Sequence, residues 1–288
     1  MSTARPSLSD SPRAASDGSG TLARLLAAGG PIVMGILNVT PDSFSDGGRF
    51  IDPEAAIAHA RRMVTEGADI IDIGAESTRP YSTATPVSLT EEVRRLDPVL
   101  TAVAALGVPV SIDTMKAQVA AAALEAGASM VNDVWGLQRD PGMAGVVARH
   151  GVPVIIMHNR DPADPAIDIM ADMAAFFTRS LDLAARAGIA RERIVLDPGI
   201  GFGKTPEQSL TALARLDQLN AFGLPLLVGA SRKRFIDKVS PAPPDRRLGG
   251  SLAAHLLAVA DGARIIRAHD VAETVQALRV ATAIRVAR

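Results

Sequence analysis

Cysteine is absent from the 288-residue chain. Its absence excludes disulfides, thiolate zinc sites and a cysteine nucleophile, and it leaves the chain compatible with a reducing cytoplasm. An excess of charge is absent as well: 30 Lys and Arg against 31 Asp and Glu give a formal net charge of −1. A near-neutral chain has no general electrostatic attraction to nucleic acid or to acidic membranes, so any basic chemistry has to be local. No apolar run reaches the roughly 18–20 residues that cross a bilayer. The nearest, Val99–Ile112, is interrupted by Thr101, Gly107, Pro109 and Ser111. Residues Met1–Gly20 are rich in Ser, Pro, Ala, Asp and Gly and lack the apolar centre of a signal peptide. They read as a disordered tail, with residues 21–288 as a single domain.

Common catalytic signatures are missing too. There is no His-x-His and no HExxH, which argues against zinc. Gly199-Ile200-Gly201-Phe202-Gly203-Lys204 is not a P-loop, because its spacing to the lysine is wrong.

What the chain does have is a 48% hydrophobic fraction, enough for a large core. It is arranged in eight short runs: Ile32–Leu37, Asp69–Ile73, Val108–Ile112, Met130–Asn132, Val152–Met157, Ile194–Leu196, Leu224–Val228 and Arg264–Ile266. These are β-branched and continuous, as strands buried on both faces are. Segments of helical periodicity lie between them. Asp52-Pro53 and Ser88-Leu89-Thr90-Glu91 open two of these as a cap followed by proline and as a capping box, and Asp270 reads as the cap of the last. Glu66-Gly67-Ala68, Ala126-Gly127-Ala128 and Asp261-Gly262-Ala263 echo one another at strand approaches, as do the glycines at 107, 151 and 223. Each glycine sits where a helix must stop. Eight such units imply an α/β chain and a closed (β/α)8 barrel, with a doubly wound open sheet as the alternative.

A barrel of this kind builds its site at the C-terminal strand ends. Those ends carry Asn38, the run Glu76-Ser77-Thr78-Arg79, Asp113, Asn132-Asp133, His158-Asn159-Arg160, Asp197, Ser231-Arg232-Lys233 and Arg267-Ala268-His269-Asp270. Arg79, Lys233, Arg267 and His269 form a cationic set suited to an anion such as diphosphate. Asp113, Asn132 and Asp197 can accept hydrogen bonds from a planar heterocycle with an amino-amide edge. Met157 and Phe202 can wall such a ring. The oxygen donor Asn38 beside a diphosphate favours magnesium.

The motifs now form an ordered set: MGILNVTPDSFSDGG at 34–48, GADIIDIGAESTRP at 67–80, SIDT at 111–114, VND at 131–133, LDPGIGFGK at 196–204, GASRK at 229–233 and RAHDV at 267–271. Together they resemble the dihydropteroate synthases, pterin-binding barrel enzymes of folate biosynthesis, from about Pro31 to the C-terminus. The resemblance implies a transferase joining a pterin diphosphate to p-aminobenzoate, cytoplasmic and homodimeric, and a sulfonamide target. It implies that Asn38 contacts magnesium, that Thr78 and Arg79 lie near the diphosphate and the aminobenzoate, and that Asp113, Asn132, Asp197 and Lys233 hold the pterin. Lys233, Ser231 and Phe202 would border the aminobenzoate, Arg267 and His269 would take the diphosphate, and loop 40–48 would close over both substrates. Asp113, Lys233, Arg267 and His269 would carry the chemistry. Two stretches depart from the family pattern. Tyr81–Thr85 makes a longer run after Pro80, and Met157-His158-Asn159-Arg160 stands where Met-His-Met is usual, which leaves the role of His158 open. Three rivals share part of this pattern: a pterin barrel that transfers methyl groups, a catalytically silent pterin-binding relative, and a phosphate-binding aldolase.

Overall fold

The computed structural model describes residues 18–40, 52–76 and 87–287. Residues 1–17, 41–51, 77–86 and 288 lie outside the described residues, and with them Thr78, Arg79, the run Tyr81–Thr85 and nearly all of the segment 40–48 expected to close over the substrates. Eight parallel strands form a closed barrel in sequence order. They are β1 (Ile32–Asn38), β2 (Ile70–Gly74), β3 (Val110–Asp113), β4 (Met130–Asp133), β5 (Val154–Met157), β6 (Ile194–Asp197), β7 (Leu226–Val228) and β8 (Ala263–Ala268). Each expected strand is present within a residue or two of its sequence bounds, and closure of β1 on β8 removes the open-sheet alternative.

The outer layer is built from α2 (Pro53–Thr65), α3 (Leu89–Ala104), α4 (Ala117–Glu125), α5 (Met143–His150), α6 (Ile169–Ala187), α7 (Pro206–Ala214), the short α8 (Arg234–Val239), α9 (Leu248–Ala260) and α10 (Val271–Val286). A further helix, α1 (Gly18–Ala27), precedes β1 and begins inside the segment read from sequence as tail. Asp52 caps α2 by accepting from Ala55 N at 3.2 Å. Ser88 caps α3 through Glu91 N, but the box is one-sided, because Glu91 pairs instead with Arg94 and Arg95. Asp270 makes no cap hydrogen bond; its carboxylate binds the Arg232 guanidinium. All six junction glycines have positive φ, from 62° at Gly223 to 113° at Gly127.

The continuous apolar runs resolve into two faces of period two. One set, including Val33, Leu37, Ile71, Ile73, Ile112, Val131, Ile156, Leu196, Val228 and Ile266, packs outward against the helices. The other, Ile32, Met34, Ile70, Met130, Ile155, Val195, Leu227 and Ile265, fills the barrel, and Leu22 of α1 closes it from below. Each such side chain contributes about 1.5–3 kcal/mol on burial. Two residues further along the same inward series the chemistry changes. Ile70 is followed by Asp72, Met130 by Asn132, Val195 by Asp197 and Ile265 by Arg267. The apolar filling holds the lower barrel closed and delivers polar groups to its upper layer.

Candidate active site

Strand register places the upper layer. Asn38 pairs with Gly74, Gly74 with Asp113, Asp113 with Asn132, and Met157 with Asp197. Asn38, Gly74, Asp113 and Asn132 thus share one register row, and Met157 and Asp197 share another two residues nearer the strand exits. A small cavity opens among Asp113, Asn132, Met157, Asp197, Phe202, Lys233 and Arg267. Every one of these was expected from the sequence to face the site.

Arg267 organises the floor. Its Nε donates to Asp72 Oδ2 at 2.6 Å and its Nη2 to Asp113 Oδ2 at 2.8 Å. Asn132 Nδ2 donates to the same Asp72 oxygen at 3.0 Å. Burial disfavours the Arg267 charge, yet Asp72 and Asp113 outweigh it and raise the pKa further. Burial lifts Asp113 to about 7, against the pull of Arg267. It lifts Asp197 to about 6, against the Gly199 backbone hydrogen bond and then Arg267 and Lys233. Asp113 Oδ1 and Asn132 Oδ1 are buried and have no partner among the described residues. Unmatched acceptors in a buried cavity are costly unless a ligand brings donors.

Asp72 was not among the residues expected to serve the site. It is fully buried and lies mid-strand rather than at a polar strand end. The available signal was parity: Asp72 falls between inward Ile70 and Gly74.

Asp197 divides its roles. Oδ1 accepts from Gly199 N at 2.7 Å, so the carboxylate does cap its own turn while lining the cavity. Lys233 Nζ stands 4.0 Å from the centroid of the Phe202 ring, and the two form one wall. Ser231 Oγ accepts from His269 N at 3.2 Å and faces His269 Nδ1 at 3.0 Å, which joins the β7 and β8 exits. Arg232, between Ser231 and Lys233, has φ 58°. Ser251 Oγ accepts its N–H, Arg247 donates to its carbonyl and Asp270 holds its guanidinium. Strain of that kind persists where surroundings fix it, and here it presents Ser231 and Lys233.

The remaining histidines separate. His158 is completely buried and bonded to Asp172 and Lys204, so it is turned into the protein rather than the cavity. His255 is 1% exposed with neither ring nitrogen partnered among the described residues. Asn38 ends β1, half-buried, beside Gly74. Among the described residues no group of three or more His, Asp or Glu could hold a metal by itself.

Comparison with known proteins follows the same outline. Residues 34–269 match the pterin binding enzyme family. The dihydropteroate synthase of Bacillus subtilis (strain 168) is 47% identical over 241 residues, covering 83% of this chain and 84% of the relative. A Clostridium difficile dihydropteroate synthase solved in the presence of pteroic acid superposes with a TM-score of 0.85 at 49% identity, over 89% of this chain and 97% of the other. The Xanthomonas albilineans enzyme with 4-aminobenzoic acid gives 0.84 at 47%, over 89% and 94%.

Proposed function

The chain belongs to the pterin binding enzyme family, and from that premise we propose that it is a transferase with the dihydropteroate synthase activity of its relatives. It condenses 6-hydroxymethyl-7,8-dihydropterin diphosphate with p-aminobenzoate, releasing 7,8-dihydropteroate and diphosphate in folate biosynthesis. The observation that carries this reading is the cavity floor: buried, unmatched acceptors on Asp113 and Asn132 beside Asp197, suited to the amino and ring N–H donors of a pterin.

The reaction breaks the bond between the pterin methylene and a diphosphate oxygen, forms a bond from the aminobenzoate nitrogen to that carbon, and releases a proton from the nitrogen. An aryl amine is uncharged near neutral pH, so no strong general base is needed. The protein's work is positioning and the exclusion of water. The carboxylate of Asp197 and the ionised form of Asp113 face the cavity and favour a methylene that becomes positive before attack. Asp113, Asn132, Asp197 and Lys233 hold the pterin, Phe202, Ser231 and Lys233 border the aminobenzoate, and Arg267 and His269 meet the diphosphate, together with Thr78 and Arg79. Magnesium fits a donor set of one amide oxygen, Asn38, because this ion keeps several waters and binds substrate phosphates; when bound it neutralises the leaving group.

We read the protein as a cytoplasmic homodimer. The absence of cysteine supports the first part, and among the described residues no helix is long and apolar enough to cross a membrane. For the dimer, α9 carries no Asp, Glu, Lys or Arg although it lies on the outer layer. Leu257 on it is 66% exposed, and Val280 and Ile284 of α10 are 55% and 58% exposed. Purified protein supplied with both substrates and magnesium should form dihydropteroate, and chelation should stop it. Pterin binding without product under those conditions would identify a catalytically silent relative instead.

A further inference from the structure

Lys204 ends the LDPGIGFGK motif, yet it does not line the cavity, and it is 1% exposed. Its Nζ donates to three acceptors: His158 Nδ1 at 2.6 Å, Gly199 O at 3.0 Å and Phe202 O at 3.1 Å. Three donated bonds are the full capacity of an ammonium and one more than a neutral amine can make. Since Lys204 donates to Nδ1, that nitrogen is the acceptor of the His158 ring, and Nε2 carries the proton, donated to Asp172 Oδ2 at 3.1 Å. Phe176 and Phe177 pack edge-on against the ring. The result is a donor chain that starts at Lys204, runs through His158 at the β5 exit and ends on Asp172 of α6, while Lys204 also holds two carbonyls of the β6 exit loop.

Those carbonyls bracket the residues that matter. Between Gly199 and Phe202 lie the turn that binds Asp197 Oδ1 and the side chains Ile200 and Phe202, both lining the cavity. The loop lies directly on the β5 exit. A Cβ at Gly199 would meet His158 O at 2.0 Å, and one at Gly203 would meet Arg160 O at 2.1 Å. Phe202 in turn stands against Lys233. We propose that Lys204, oriented by His158 and Asp172, is a positioning residue that fixes the cavity wall formed by residues 199–202, and so sets pterin affinity without touching the pterin. This deepens, and rests on, the pterin-site reading above.

The network is also placed to respond to pH. Lys204 is faced by Asp197 from β6, Asp172 from α6, His158 and Arg160 from the β5 exit, and Lys233 from the β7 exit. Burial lowers its pKa to about 7, with Asp197 and Asp172 opposing. Burial and the neighbouring Lys204 charge keep His158 neutral, lowering it to about 3. As pH rises through 7 the ammonium becomes an amine and one of its three donated bonds is lost.

The test is Lys204→Met, which keeps the buried volume and removes every donor. Binding is read by calorimetry with a pterin lacking the diphosphate, from pH 5.5 to 9, alongside steady-state kinetics. Ionisation of Asp197 and Asp113 affects the parent and the variant alike, so the ratio of their affinities isolates Lys204. Lys204→Met should bind on the order of 10-fold more weakly than the parent at pH 6.5, the loss of a charged hydrogen-bond donor, and the gap should narrow above about pH 7 as the parent ammonium loses its proton. KM for the pterin diphosphate should rise more than kcat falls. Parent-like affinity at pH 6.5, or a gap that does not change with pH, would overturn the proposal. Should Lys204→Met not fold, Asp172→Ala decides, since Asp172 is partly exposed: several-fold weaker pterin binding supports the chain, and unchanged binding refutes it. Because the readout is binding, a failure of the parent protein to make dihydropteroate would refute the activity and leave this inference standing or falling separately.

Discussion

Replacing Arg267 by alanine should damage more than diphosphate recognition. The guanidinium sits between two buried carboxylates, 2.6 Å from Asp72 and 2.8 Å from Asp113. Removing one partner of a buried ion pair typically costs about 3–5 kcal/mol, because it strands the other. At about 2.1 cal/mol/K per residue over 288 residues, that lowers Tm by roughly 5–8 °C. A second effect follows at the site. Asp113 already stands near 7 with Arg267 opposing the rise. Without Arg267 it becomes protonated at neutral pH and offers the pterin an O–H where an acceptor is needed. Calorimetry should therefore show Arg267→Ala losing affinity for a pterin without diphosphate, with partial recovery as pH is raised to 9. Melting curves should show the stability loss partly reversed by Asp72→Asn in the same background, since the stranded charge is then removed. An Arg267→Ala protein that melts with the parent and binds pterin normally at pH 7 would refute this account. Arg267 would then act on the diphosphate alone.

Other substitutions test separate contacts. Asp197→Asn should weaken pterin binding by roughly 1–3 kcal/mol through a donor facing a donor; intact affinity with a lowered Tm would leave Asp197 only its turn-capping role toward Gly199. In the parent protein, pterin affinity should fall as pH drops below about 6, where Asp197 takes up a proton; a flat profile from pH 7 to 5 would exclude that carboxylate as the acceptor. His255 has its pKa lowered to about 4 by burial. The unfolded chain therefore binds its proton first, and stability is lost as pH falls from 6.5 to 4, by about 3 kcal/mol in full. In His255→Leu the slope of Tm against pH over that window should be shallower, and an unchanged slope would remove His255 from the acid response.

Much of the fold was legible because barrel strands and helices carry local signals. The proline-preceded runs after Gly107, Gly151 and Gly223 each became a strand, and the glycines took the positive φ that helix termination needs. Asp270 was misjudged as a cap because capping and ion pairing look alike in sequence: the residue opens α10, but its partner Arg232 lies 38 residues away. His158 stayed open for the same reason. Its partners, Asp172 and Lys204, are 14 and 46 residues distant, and only closure of the barrel brings them together.

Asp72 shows where a finer reading of the sequence would have gone further, and why the floor is built as it is. Counting by twos along β2 places Ile70, Asp72 and Gly74 on one face, and the same count along β8 places Ile265 and Arg267 there. A buried arginine in that layer requires at least one buried carboxylate, and Asp72 is the one that the motif itself supplies. With Asp72 taking Arg267 Nε and Asn132 Nδ2 on a single oxygen, Arg267 is held from below. Asp113 uses one oxygen on the same guanidinium and leaves Oδ1 without a partner. Burying three carboxylates with two cations is an unfavourable way to stabilise an empty barrel. It becomes favourable when a ligand supplies N–H donors from above, so this layer is organised around an occupant rather than around the fold alone.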